Sequence, residues 1–142
     1  MSMKIISETK FMVCQFDDSK KIFYDIWLLE TINMSEAEIK TETIIVTDLI
    51  EKYKPKYIIS DDTKRLCVYP ESLQNWVLMC WLNACIKVGV LKVAILLPVE
   101  SLSNFSTQQI VDQADEIPYE LEYFEMLEDA FSWCESNYEN NE

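Results

Sequence analysis

The chain has 142 residues, of which 49% are hydrophobic; it holds one glycine, four prolines and no histidine, and its formal charge is −13. That length suffices for one domain with its own buried core and no disulfide or metal, and so apolar a composition argues against disorder. Scarce glycine disfavours tight-turned all-β folds, and the acidity disfavours nucleic acid and anionic membrane surfaces as partners.

The first residues, MSMKIISETKFMV, contain no continuous apolar stretch of signal-peptide type. The longest unbroken apolar run, residues 76–82, is too short to cross a bilayer, so no membrane insertion is expected. Cysteines at 14, 67, 80, 85 and 134 form no C-x-x-C pair. They read as small buried hydrophobes in a reducing cytoplasm, and neither a metal nor a cofactor is expected.

In chain order, residues 3–8 and 11–16 read as a pair of short strands, followed by a polar turn at Asp17-Asp18-Ser19-Lys20. Residues 21–30 resume as a strand. Ile22, Tyr24, Ile26 and Leu28 fall on one face of it and Phe23, Trp27 and Leu29 on the other, which predicts an interior position. Ser35 and Glu38 form a capping box that starts a helix over 36–54, and Pro55 ends it. Ile39, Val46, Ile50 and Tyr53 recur at helical spacing there, although TETIIVT at 41–47 has high β propensity.

A buried strand over 56–60 leads through Asp61-Asp62-Thr63 and an extended piece, 66–69, to Pro70. Pro70 opens the central helix, 70–88, whose core face reads as Leu73, Val77, Cys80, Trp81, Ala84 and Val88. Asn75, Asn83 and Lys87 mark its polar side, with Trp76, Met79 and Ile86 beside them. Gly89 supplies a left-handed cap, and 90–97 is the most apolar strand. A staple of Phe105 and Ile110 around a Ser106/Gln109 capping box predicts a helix ending near Glu116. A strand over 119–124 and a helix over 126–137 follow. Residues 1–137 thus read as a single domain and 138–142 as a frayed acidic tail. Alternation of strands and helices after an antiparallel hairpin predicts an α/β fold with one mixed sheet.

Little chemistry is on offer. Nucleophilic catalysis usually wants a histidine, and a glycine-rich phosphate loop needs more than one glycine. Adjacent carboxylates in turns, Asp17-Asp18 and Asp61-Asp62, seldom converge on one substrate, so no catalytic residue is assigned. Asp61, Asp62 and Thr63 do follow the C-terminal end of a buried strand, where open α/β sheets collect ligands. The amides of the helix start near Ser72 favour an anion, so a phosphate on Thr63 or Ser72 is the candidate modification there. Trp76, Met79 and Ile86 form the candidate interaction surface.

The strand ending in Asp61, the Pro70-Glu71-x-x-Gln74-x-Trp76 helix start and Gly89-Val90-x-Lys92-x-Ala94-Ile95 resemble the SpoIIAA-like group of the STAS and CRAL-TRIO superfamily. So do Phe105-Ser106 through Gln109-Ile110 and Leu127-Glu128-Asp129-Ala130-x-x-Trp133. The resemblance spans nearly the whole chain, and its nearest members are small bacterial proteins. It implies a mixed sheet with about four helices, mainly on one face, and a role as a protein-binding regulator. Some STAS members are switched by phosphorylation of a serine after an aspartate at a helix N-terminus; here the matching loop carries Asp62-Thr63. The expectation is a non-enzymatic, cytoplasmic interaction module that binds a protein partner or itself. The alternative is a small protein that binds an apolar, lipid-like ligand, suggested by the aromatic and Met residues around the central helix.

Overall fold

A computed structural model describes residues 3–97 and 117–140, the last four by backbone alone. Strands β1 (Lys4–Glu8), β2 (Met12–Asp17) and β3 (Ile22–Trp27) form an antiparallel meander. Strands β4 (Tyr57–Asp61), β5 (Lys92–Leu96) and β6 (Glu120–Phe124) then add in parallel, giving one six-stranded mixed sheet in the order β1-β2-β3-β4-β5-β6. Helix α1 (Glu36–Tyr53) links β3 to β4, α2 (Glu71–Val88) links β4 to β5, and α3 (Leu127–Asn140) follows β6. The helix expected over 106–116, with its staple and capping box, lies outside the described residues.

The local signals act as their chemistry requires. The Ser35 hydroxyl accepts from the Glu38 amide at 3.2 Å, and the Glu38 carboxylate accepts from the Ser35 amide at 2.9 Å. In the β-prone stretch inside α1, Thr41, Thr43 and Thr47 donate their hydroxyls to the carbonyls one turn back, which satisfies them without strengthening the helix. Tertiary burial of Ile39, Val46 and Ile50 then outweighs the propensity. At the end of α2, Gly89 adopts φ 76° and its N–H reaches the Cys85 and Ile86 carbonyls.

Two apolar layers sandwich the sheet. Phe23, Trp27, Ile58, Val93 and Ile95 face α1 and α2, which bring Val46, Ile50, Ala84 and Cys85. Ile22, Tyr24, Ile59, Ala94 and Leu96 face α3, which brings Ala130 and Cys134. β3 is therefore interior, apolar on both faces as its sequence reads.

Four expectations are corrected. The strand expected to Glu30 ends at Trp27, and a 3₁₀ turn, Leu29–Asn33, carries the chain to α1. Helix α3 runs to Asn140, beyond the expected boundary at 137. The third described helix packs on the opposite face from α1 and α2, because β4 and β5 present a second apolar face there. On α2, Cys80, Trp81 and Val88 are half-buried, while Gln74, Leu78, Leu82 and Cys85 are buried. The buried arc is rotated because α2 packs on α1 as well as on the sheet, and Ile39 of α1 joins Leu73, Val77, Leu78 and Leu82 in one cluster.

Candidate functional site

The C-terminal ends of β3 and β4 carry a buried polar cluster. Asp25 and Ser60 are register partners across the parallel β3–β4 pair, and both point toward α1 and α2 between apolar neighbours. The Ser60 hydroxyl donates to Asp25 Oδ1 at 2.6 Å. The other oxygen, Oδ2, is buried with no hydrogen-bond partner among the described residues. Burial pushes the Asp25 carboxyl well above the usual carboxylate range, a shift the Ser60 hydroxyl opposes and the Asp62 and Asp61 charges reinforce.

Beyond β4 the backbone continues the ladder by one bond, Asp62 N–H to the Leu96 carbonyl at 2.9 Å, then turns back. Asp62 is buried there against Arg65, with Oδ2 to Nε at 3.5 Å. Arg65 is the single arginine of the chain and is 1% exposed. Its guanidinium lies 4.4 Å from the Tyr69 ring centre and reaches the Cys67 carbonyl at 3.4 Å. Burial works against its charge, but Tyr69, Asp62 and Cys67 around it more than offset this, so the guanidinium stays protonated. Asp25 and Arg65 are the functional-grade residues that the sequence reading passes over. A carboxylate in the middle of IFYDIW and a lone arginine were the available signals.

Beside this cluster is a cleft of about 90 Å³, lined by Trp27, Ser60, Asp62, Tyr69, Val77 and Trp81 among others. It is mostly aromatic and aliphatic, with Ser60 and Asp62 as its polar contacts.

The anticipated site residues separate into two groups. Asp61, Asp62 and Thr63 come together, but Asp61 points to the α3 side, where Oδ1 accepts from the Thr63 amide at 3.0 Å and hydroxyl at 2.5 Å. The Tyr24 hydroxyl donates to Asp61 Oδ2 at 3.4 Å. A phosphate on Thr63 would stand against Asp61, which electrostatics disfavours. Ser72 lies apart, exposed in the first turn of α2, and donates to Glu36 of α1 at 3.3 Å. Thr63 precedes a loop, not a helix, since α2 starts at Glu71.

On the outer side of α2, Met79 is 44% and Ile86 59% exposed, two turns apart on one stripe. Trp76 is half-buried, its ring packed against the α1–α2 cluster. Exposed Asn75 and Asn83 run along the same side of the helix.

No thiol has its pKa lowered by these surroundings. All five cysteines are free; burial pushes Cys85 and Cys134 up to about 12 and raises Cys14, Cys67 and Cys80 as well. Among the described residues no group of three His, Cys, Asp or Glu side chains is placed to hold a metal, and no helix is long and apolar enough to cross a membrane.

Comparison with family models, curated proteins and solved structures finds no match.

Proposed function

We propose that this chain is a non-enzymatic interaction module of STAS type, acting in the cytoplasm, with the outer face of α2 as its docking surface. The carrying observation is the exposed Met79–Ile86 stripe, extended by Trp76: two of the ten exposed large apolar side chains among the described residues, aligned on one helix face. The charge of −13 opposes self-association and favours a protein partner with a basic rim around an apolar centre. Five free cysteines suit a reducing compartment. The cleft supports the alternative, a lipid-like ligand, less well. Its 90 Å³ falls below the range of about 300–1,000 Å³ in which drug-sized ligands sit.

A photocrosslinking residue placed at Asn83, on the stripe, tests this against one at Lys40, which is exposed on α1. A discrete heavier adduct from position 83 and not from position 40 is expected in cells. Adducts from neither position, or equally from both, would remove the α2 face as the docking surface.

A further inference from the structure

At the opposite end of the sheet, where β3 and β4 begin, the β2–β3 turn and the α1–β4 connection enclose a hollow of about 400 Å³. Ser19, Lys20, Lys21, Lys56, Tyr57 and Glu135 are among its lining residues. Three of the chain's twelve basic residues therefore line one concavity on an acidic protein, the Lys21 ammonium lying at its edge, 5.9 Å from the Phe16 ring centre. The volume lies within the small-molecule range that the cleft beside Ser60 falls short of.

The lysines sit on a fixed frame. The Lys21 carbonyl accepts from the Lys56 amide at 2.9 Å and the Tyr57 amide at 3.1 Å, which clamps the two connections together. Buried Asp17 Oδ1 holds the turn itself, accepting from the Ser19 amide at 3.0 Å, the Ser19 hydroxyl at 2.8 Å and the Lys20 amide at 3.1 Å. Among the described residues the non-glycine positions with left-handed backbone are Lys21 (φ 58°) and Lys54 (φ 53°), one in each connection. Lysine gains nothing sterically from that conformation, so both turns carry a local backbone cost next to the hollow.

Charge around the hollow is balanced rather than quenched. Lys20 pairs with Glu135 of α3, and Lys21 with Asp18 at 2.9 Å. At physiological ionic strength charges beyond about 8 Å are screened, so the local set matters more than the net −13. Lys20 and Glu135 are both partly solvated and can exchange partners at little cost.

We propose that the hollow binds a small polyanion of the di- or polyphosphate class, with Lys20, Lys21 and Lys56 as its cations. Lysine ammonium groups suit phosphate as point charges, and a rigid frame lowers the ordering cost of gathering several of them. Glu135 occupies Lys20 when the anion is absent and gives it up when the anion binds.

The test is a ¹H–¹⁵N NMR titration of the full chain with pyrophosphate in about 0.15 M NaCl. Saturable shifts confined to Ser19, Lys20, Lys21, Lys56 and Tyr57 are expected. Lys20→Gln/Lys56→Gln should weaken binding by about tenfold or more with the rest of the spectrum unchanged. Glu135→Gln, which releases Lys20, should tighten it. Absence of saturation, equal shifts at Lys10 and Lys40, or an affinity indifferent to the Lys20/Lys56 change would overturn the proposal, as would weaker binding in Glu135→Gln.

Discussion

The Ser60 hydroxyl reaches Asp25 Oδ1 at 2.6 Å across two parallel strands, in a layer otherwise built of Phe23, Trp27, Ile58 and Ile95. Burial in that layer raises the carboxyl pKa: the Ser60 hydroxyl offsets only part of the lost hydration, Cys14 is the register partner on β2, and Asp62 and Asp61 add negative field. The sign follows directly. A neutral Asp25 contributes stability that is complete below the unfolded carboxyl value of about 3.9 and lost as pH rises toward the raised folded value. The slope is at most about 1.4 kcal/mol per pH unit within that window. Asp25→Asn should flatten it, so urea midpoints of variant and parent should diverge in favour of asparagine as pH rises above the unfolded carboxyl value of about 3.9. Parallel curves would mean that Asp25 is ionised in the folded protein.

Arg65 is a different case, a buried cation beside Asp62 and the Tyr69 ring. Arg65→Met leaves the Asp62 carboxylate buried without that cation and should cost about 3–5 kcal/mol. Adding Asp62→Asn should return a good part of the loss, since the stranded charge goes with it. Chemical denaturation of the two single variants and the double variant measures this coupling; strict additivity would show that the two residues act independently.

The helix termini allow finer tests. Ser35→Ala removes one half of the capping box and should cost about 1 kcal/mol. A Cβ at Gly89 would meet nothing within 4 Å, so Gly89→Ala probes the left-handed backbone alone and should cost about 1–2 kcal/mol. Thermal unfolding of each variant resolves changes of this size, and a neutral Gly89→Ala would mean that the turn relaxes.

Thiol accessibility separates Cys80 from the rest. It is half-buried on α2, while Cys14, Cys67, Cys85 and Cys134 are buried; burial raises the pKa of all five. A maleimide should label one thiol in the folded chain and the other four only on unfolding. Rapid modification of several would reveal an opening of the core.

How far the sequence can be read follows the range of each interaction. The Ser35/Glu38 box, the Gly89 cap and the two-faced apolar pattern of β3 are local, and each is in place. The buried arc of α2 was misread at Cys80 and Trp81 because a helical wheel shows periodicity but not the direction of a second neighbour, here α1. The 3₁₀ turn after Trp27 follows Thr31, whose buried hydroxyl donates to the Leu28 carbonyl at 2.8 Å and accepts from the distant Leu66 amide at 2.8 Å. No spacing rule shows such a partner. Asp25 with Ser60, and the meeting of Lys20 with Lys56, are likewise products of strand register. The Asp61-Asp62-Thr63 stretch was legible as a strand end, but not the opposite directions in which Asp61 and Asp62 point.

The docking role of α2 is met most directly by affinity capture with the parent chain and with Met79→Lys/Ile86→Lys, two exposed changes that should leave circular dichroism and melting temperature unaltered. A protein partner retained by the parent and lost from the folded double variant is the expected result. Equal recovery of that partner by both chains would contradict it.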